Sequence, residues 1–259
     1  MQGWRSAAVD LSSAVVVRPS GRPVEGLKVV SNYGEAGSSP KLVVLGCKPQ
    51  QLDEVVARLT PHLTQQTVVV SILAGVEVET LRNKLWTAGA IVRALPNLPV
   101  AIRRGVVALY GEELPGELRD ELSQLFAQLG FALWTNNENG LAAVGSVAGA
   151  GPAYVARFVD ALGKAGVERG LSADLARTIA LETVLGTAWM AATTQESMDD
   201  IVRRVASPNG TTEAGLAVLS REDVLDKLVS LTISAASRRA VELAEEAKAP
   251  KLASEVPLS

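Results

Sequence analysis

Hydrophobic positions follow two different patterns along this chain of 259 residues. In the first half, short β-branched runs are bounded by Gly, Pro or Asn, which is typical of buried strands. The runs are SAVVVR (13–18), LVVL (42–45), TVVVSI (67–72), IVRAL (91–95) and VVALY (106–110). Between them, PQQLDEVVARL and VETLRNKLW space their apolar residues three and four apart, which predicts helices. Alternating strands and helices of this kind predict a parallel sheet covered by helices.

Beyond about Asn136 the pattern changes to long helices. The segments AYVARFVDALGKAGVERG, LARTIALETVLGTAWMAA and DVLDKLVSLTISAASRRAVELAEEA are apolar over wide faces and rich in small residues. Helices this apolar are buried, either in a large bundle or against a second subunit. We therefore predict a sheet domain over 1–136, an all-α dimerisation domain over 137–247 and a flexible tail over 248–259.

The start of the chain lacks a feature that the predicted α/β fold normally has. A dinucleotide-binding fold begins with a strand, a Gly-rich turn and a helix whose first amides hold the pyrophosphate. Here MQGWRSAA has the pattern of the end of such a helix, and no GxGxxG precedes the first predicted strand. We interpret the first domain as Rossmann-like and incomplete at its start. An internal methionine at position 1, with more chain encoded upstream, is the alternative explanation.

Composition and charge exclude several classes of function. Lys and Arg number 25 against 28 Asp and Glu, a net charge of −3, so a nucleic-acid partner is not expected. One Cys and one His allow neither an intramolecular disulfide nor a metal cluster, which predicts a reducing, cytoplasmic location and no metal site. No apolar stretch of about 18 residues is present, so no membrane span is expected.

Five motifs follow one another in a fixed order: LGCKPQ (45–50), SILAGV (71–76), RALPNLP (93–99), AGAGPAYV (148–155) and ASPNGTTEAGL (206–216). Together they resemble the pyrroline-5-carboxylate reductase family, which makes proline by reducing a cyclic imine with NADPH or NADH. The resemblance extends from about Ser13 to about Ala247. It implies 1-pyrroline-5-carboxylate as the substrate and a homodimer or larger homo-oligomer formed through the helical half.

The SPNGTT segment is a candidate substrate site at the start of a helix. A helix N-terminus carries unpaired N–H donors and partial positive charge, which suit a small carboxylate. The resemblance implies that Ser207, Gly210, Thr211 and Thr212 bind the substrate, and that Thr212 is the catalytic residue at the imine nitrogen. An ordinary N-cap without a ligand is the alternative. Asn209 stands where the family has glycine, and this replacement is tolerable if the site needs a positive φ, since Asn adopts that region more readily than most residues.

Candidate cofactor residues follow the predicted strands, where open α/β sheets bind ligands. Arg18 and Ser20 follow the first strand, and their charge and hydroxyl suit a 2′-phosphate, which favours NADPH over NADH. A plain surface arginine is the alternative. Small residues after the TVVVSI strand allow a nicotinamide ring to approach the backbone. The other cofactor residues implied by the resemblance are Asn32, Gly46, Cys47, Lys48, Pro49, Ala74, Gly75 and Asn97.

Simpler explanations exist for three of these residues. Lys48 could be a solvated lysine before a helix that begins at Pro49. Gly75 could be part of a tight turn, and Asn97 could be a turn residue between two prolines. From the residues alone, these explanations and the cofactor role stay open.

The sequence leaves two alternative functions open. A β-hydroxyacid dehydrogenase, another NADP-dependent enzyme of related architecture, needs a catalytic lysine after a GxGxxxK pattern. Val155 occupies that position here, and Lys164 lies too far along the chain. The second alternative is a non-catalytic helical dimer derived from a reductase, because pyrophosphate binding without a Gly-rich loop has little physical basis.

Overall fold

The computed structural model describes residues 1–37 and 39–248, so the predicted tail lies outside the described residues apart from Lys248. The chain forms two compact units. The first consists of residues 1–149 together with the last helix from Ala236 onward, and the second of residues 150–235. Every strand of the described residues lies in the first unit, and the second is helical.

Two sheets form the first unit. Strands β1 (Val15–Val17) and β2 (Lys28–Val30) pair in parallel as a separate small sheet. The second sheet contains five strands that neighbour one another in chain order. They are β3 (Leu42–Leu45), β4 (Val68–Ser71), β5 (Ala90–Pro96), β6 (Gly105–Tyr110) and β7 (Gly130–Trp134). All five predicted strands are present, whereas the sequence pattern did not predict β2 and β7.

The prediction of a parallel sheet is wrong at one pairing. Strands β3, β4 and β5 are parallel, as are β6 and β7, but β6 runs antiparallel to β5. A parallel crossover needs a dozen or more residues. The connection after Asn97 is shorter and contains only a 3₁₀ turn, Leu98–Ile102, so the chain returns directly along β5. The backbone N–H of Asn97 donates to the Val106 carbonyl at 3.1 Å, which closes the reversal.

Helices cover both faces of the five-stranded sheet. In the first unit they are α1 (Gln2–Ser6), α2 (Leu52–Leu59), α3 (Val78–Lys84), α4 (Gly116–Ala127) and α5 (Glu138–Val144). The adjacent residues Val69 and Val70 belong to two different apolar clusters, one with α2 and α3 and one with α1 and α4. Trp4 of α1 is buried against Phe126, and its indole N–H donates to the Leu125 carbonyl at 2.9 Å. The predicted helix at the start of the chain is therefore present.

Burial along the strands depends on their place in the sheet. Val69, Val70 and Val92 on the inner strands are completely buried. By contrast, Leu42 and Val44 on β3 are 38% and 40% exposed, because β3 is an edge strand. The expected burial on both faces therefore holds for the inner strands alone.

The second unit is built from α6 (Gly151–Glu168), α7 (Ala173–Thr194), α8 (Met198–Val205), α9 (Thr211–Ser220) and the start of α10 (Val224–Lys248). Helices α6 and α7 contact each other closely through small residues, since Gly166 faces the buried Ala176. In the described part of the chain, no helix has the length and apolar character needed to cross a bilayer. Exposed apolar side chains line α6 and α7, namely Val155, Phe158, Leu162, Leu181, Leu185 and Trp189.

Candidate functional site

The predicted cofactor residues all follow the carboxyl ends of strands. In chain order they are Arg18 and Ser20 after β1, Asn32 after β2, Gly46, Cys47, Lys48 and Pro49 after β3, Ala74 and Gly75 after β4, and Asn97 after β5. Because β3, β4 and β5 are parallel neighbours, the segments that follow them share one edge of the five-stranded sheet. Open α/β sheets bind their ligands at this edge.

Arg18 carries an exposed positive charge beside β1. Its backbone is fixed, because its N–H donates to the Val30 carbonyl and its carbonyl accepts from Gly21 N–H, both at 2.9 Å. Among the residues that the structure describes, its guanidinium has one hydrogen-bond contact, a long one of 3.5 Å to the Arg22 carbonyl. Ser20 in the same turn is exposed. The turn therefore presents a charge and a hydroxyl that suit a phosphate group.

Asn32 uses its side chain within its own turn. It caps the 3₁₀ turn Tyr33–Ala36, and its Oδ1 accepts from the Glu35 N–H at 3.1 Å. Its amide group also donates to the Glu35 carboxylate. These contacts favour a role in forming the turn over a direct contact with the cofactor.

The segment after β3 opens a short helical turn at the sheet edge. Pro49 is the first residue of the 3₁₀ turn Pro49–Gln51, and the side chain of Lys48 is exposed. Burial raises the pKa of the Cys47 thiol above its usual range, so the thiol stays neutral at physiological pH. Cys47 is therefore a small packing residue and not a nucleophile, while Lys48 is an exposed cation available to a phosphate.

Ala74 and Gly75 form the turn between β4 and α3. Gly75 has φ +73°, in the left-handed region that favours glycine. Leu73 and Val76 on either side are buried, whereas Ala74 is exposed. The turn thus presents backbone and a methyl group, without a large side chain, at the carboxyl end of β4.

Asn97 has structural partners for both ends of its side chain. Its Oδ1 accepts from the Val106 N–H at 2.8 Å, and its Nδ2 donates to the Ala148 carbonyl at 3.1 Å. Ala148 belongs to a π-helical turn, Gly145–Gly149, that follows α5. Asn97 therefore links the π-helical turn to the β5–β6 reversal. These contacts favour a structural role for Asn97 over a contact with the cofactor.

The SPNGTT segment forms the N-terminus of α9. Its N-cap is Gly210, whose N–H donates to the Ser207 carbonyl at 2.9 Å. A Cβ atom at position 210 would lie 2.9 Å from the Ser207 carbonyl oxygen, a backbone atom, so a side chain there would force the turn to shift. Asn209 has φ +57°, in the left-handed region that glycine adopts freely and Asn tolerates. Because the Gly210 amide is used within the turn, Gly210 shapes this site and does not donate to a ligand.

Capping by a side-chain hydroxyl does not explain this helix start. A glycine N-cap has no side chain to accept from the first-turn amides. Among the described residues, the hydroxyls of Ser207, Thr211 and Thr212 have no hydrogen-bond partner, whereas Thr183 and Thr187 inside α7 bond to the preceding turn. The first turn of α9 therefore combines unused N–H donors with unused hydroxyls, which suits a small anion.

Three loops of the first unit carry features that suit parts of a dinucleotide. Arg18 after β1 and Lys48 after β3 supply exposed cations, and Gly75 after β4 has no side chain. Among the described residues, no group of three His, Cys, Asp or Glu side chains is placed to bind a metal ion.

Comparison with known proteins gives the family. Residues 138–243 match the model described as pyrroline-5-carboxylate reductase dimerisation, and residues 6–97 match that of ketopantoate reductase PanE/ApbA. The pyrroline-5-carboxylate reductase of Pseudomonas aeruginosa is 36% identical over 221 residues, which cover 85% of this chain and 81% of that protein. The chain belongs to the pyrroline-5-carboxylate reductase family.

Solved structures support the same assignment. A pyrroline-5-carboxylate reductase from Coxiella burnetii is similar with a TM-score of 0.82 and 28% identity, covering 94% of this chain and 95% of that one. The pyrroline carboxylate reductase of Plasmodium falciparum, solved with NADP bound, has a TM-score of 0.82 at 22% identity, over 94% of this chain and 92% of that one. The predicted fold class, a Rossmann-like domain followed by a helical dimerisation domain, is confirmed.

Sequence reasoning missed three charged residues in this member of the pyrroline-5-carboxylate reductase family. Arg93 on β5 is 7% exposed and pairs with Glu138 of α5. A charge inside the apolar run IVRAL was the available indication, because a buried charge needs a partner. Glu213 accepts from the Asn209 N–H at 2.6 Å and so holds the loop before α9. A glutamate three residues after the N-cap is a known helix-start pattern and could have been recognised.

Proposed function

We propose that this protein reduces 1-pyrroline-5-carboxylate to L-proline with NADPH, the last step of proline biosynthesis. Its family membership supports the reaction, and the observation that carries the site is the first turn of α9, with unused amides and hydroxyls in one place. When bound, NADPH supplies the hydride that adds to the imine carbon. NADH remains usable, because Arg18 and Ser20 affect only the recognition of the 2′-phosphate.

In this proposal the start of α9 binds the substrate carboxylate. The amides of Thr211 and Thr212 and the positive end of the helix dipole attract the carboxylate without an arginine. The hydroxyls of Ser207 and Thr211 supply further donors. This contact fixes one end of the small ring, so that the imine is oriented for reaction.

Thr212 acts at the other end of the substrate. Its hydroxyl lies in the first turn of α9, is half-buried, and is free to hydrogen-bond to the imine nitrogen. Reduction adds a hydride to carbon and a proton to nitrogen, so the C=N bond becomes a C–N single bond with a new C–H and a new N–H bond. The proton comes from the Thr212 hydroxyl or from water that it orients.

We further propose that the protein acts as a homodimer or larger homo-oligomer in the cytoplasm. The exposed apolar side chains of α6 and α7 support association, because a face of this kind is unfavourable in water. The match of residues 138–243 to the dimerisation model points to the same helices. A single cysteine is in keeping with a reducing compartment.

The proposed reaction is tested by incubating the purified protein with NADPH and 1-pyrroline-5-carboxylate. We expect NADPH consumption that depends on the imine, with one proline formed for each NADPH oxidised. NADH in parallel measures the cofactor preference. Oxidation of β-hydroxyacids with NADP⁺, without reduction of the imine, would instead support the dehydrogenase alternative.

A further inference from the structure

A largely buried ion pair joins Arg93 on β5 to Glu138 in the first turn of α5. The side chains are 9% and 26% exposed, whereas those of the surface pair Lys84–Asp53 are 38% and 74% exposed. The Nε atom of Arg93 is buried without a partner among the described residues. Buried pairs of this kind often stabilise a fold no better than apolar side chains of similar volume. Stability alone therefore does not explain the pair.

Both side chains also bind the connection between β4 and α3, here called the 73–78 loop. Nη2 of Arg93 makes a long, weak hydrogen bond of 3.5 Å to the Leu73 carbonyl, at the start of the loop. Oε1 of Glu138 accepts from the Val78 N–H at 2.8 Å, at the end of the loop. One ion pair therefore ties together both ends of the loop.

The middle of the 73–78 loop is the part that faces solvent. Leu73, Val76 and Val78 are buried, with exposures of 2%, 5% and 1%. Ala74 between them is exposed, and Gly75 has φ +73°. The apolar anchors and the ion pair thus fix the ends of the loop, while the backbone at positions 74 and 75 is presented at the carboxyl end of β4.

We propose that Arg93 and Glu138 are positioning residues for hydride transfer, because they hold the 73–78 loop in the shape that supports the nicotinamide ring. This inference rests on the proposed function and on the expectation from the sequence that the small residues after β4, Ala74 and Gly75, let the nicotinamide ring approach the backbone. A reacting group displaced by about 1 Å can lose about a hundredfold in rate. A loosened loop should therefore slow hydride transfer and leave recognition of the adenosine end, at Arg18, unchanged.

The test variant is the double substitution Arg93→Met/Glu138→Met. It removes both hydrogen bonds to the 73–78 loop and fills the same space with apolar side chains, which buried ion pairs tolerate well. The control is Lys84→Met, which removes the Lys84–Asp53 ion pair, 2.6 Å long, from the last turn of α3, the helix that the loop enters. If the double variant fails to fold, Glu138→Met alone removes the acceptor of the Val78 N–H and gives the same comparison at that end of the loop.

Four measurements follow. Hydrogen exchange should become faster at the amides of the 73–78 loop, since the Val78 N–H loses its acceptor. The kcat with NADPH should fall about tenfold, because hydride transfer is slowed. With NADPH deuterated at the transferred position, the isotope effect on kcat should rise. Partial unfolding would instead lower the rate and leave the isotope effect unchanged. The affinity for 2′,5′-ADP, which lacks the nicotinamide, should equal that of the wild type and of Lys84→Met.

Unchanged exchange in the 73–78 loop would show that the ion pair does not hold it, and the inference would be wrong. Faster exchange with unchanged kcat and isotope effect would also overturn it, because the loop would then have no influence on hydride transfer. If the wild-type protein itself consumes no NADPH with 1-pyrroline-5-carboxylate, the proposed function is wrong and the positioning role falls with it.

Discussion

The backbone amide of Asn209 donates a 2.6 Å hydrogen bond to Oε2 of Glu213, which ties a residue with φ +57° to the first turn of α9. Asn adopts this region more easily than most residues, but a β-branched side chain does not. We expect Asn209→Val to lower the free energy of unfolding by about 1–2 kcal/mol. Asn209→Gly should stay within about 1 kcal/mol of the wild type, because glycine adopts positive φ freely but adds disorder to the unfolded chain. Urea denaturation of both variants measures the difference, and equal stabilities would contradict the strain argument.

Substitution of Thr212 separates a catalytic hydroxyl from a structural one. We expect Thr212→Ala to lower kcat about ten- to a hundredfold, since a hydrogen bond to a charged group contributes about 1.5–3 kcal/mol. Its melting temperature should match that of the wild type, because the hydroxyl does not cap α9. Thr212→Ser keeps the hydroxyl and should retain most of the activity. A variant that melts earlier while its folded fraction is fully active would show that Thr212 only supports the helix.

The preference for NADPH is expected to depend on Arg18. Loss of a charged contact to the 2′-phosphate in Arg18→Ala should raise the KM for NADPH about tenfold and leave the KM for NADH unchanged. Arg22→Ala is the matched control, because it removes the same charge from the same exposed turn. Equal changes for both cofactors in the Arg18 variant would mean that Arg18 does not read the phosphate.

The exposed stripe on α7 should control association. Leu181, Leu185 and Trp189 lie four residues apart and are each more than half exposed, at 53%, 55% and 55%, so they share one face. A charge within that face is unfavourable in an apolar interface, and Leu185→Glu should give a monomer by light scattering at micromolar concentration. Leu185→Met preserves the apolar character and should stay associated. An associated Leu185→Glu variant would place the contact elsewhere.

Strands were predictable where their pattern was local. The runs around Val69, Ile91 and Val107 are β-branched and form the inner strands β4, β5 and β6. The run around Val43 forms the edge strand β3, which pairs in parallel with β4. The direction of β6 was not predictable from its own residues, because it depends on how short the connection after Asn97 is. Strand β7 was missed since it begins at Gly130 and depends on pairing with β6.

The sequence predicted where the candidate site residues lie better than it predicted which groups their side chains contact. The resemblance gave the segments after β1 to β5 and the start of α9, and each lies at a strand or helix end. The side chain of Asn97 bonds to the backbone of Val106 and Ala148, and that of Asn32 bonds to the backbone of Glu35. The motifs do not indicate these contacts and therefore did not predict them. The Arg93–Glu138 pair spans 45 positions, so only the folded chain brings the two charges together.

The antiparallel return of β6 along β5 also has a consequence for folding order. Contacts between residues close in sequence form sooner than distant ones, since less chain entropy is lost in closing the loop. The β5–β6 reversal, which pairs Pro96 with Val107, is far more local than the crossovers from β3 to β4 and from β4 to β5. We therefore expect this hairpin to nucleate the sheet, with Asn97 already bonded to Val106. The strand ends that carry Lys48 and Gly75 would then assemble after this hairpin.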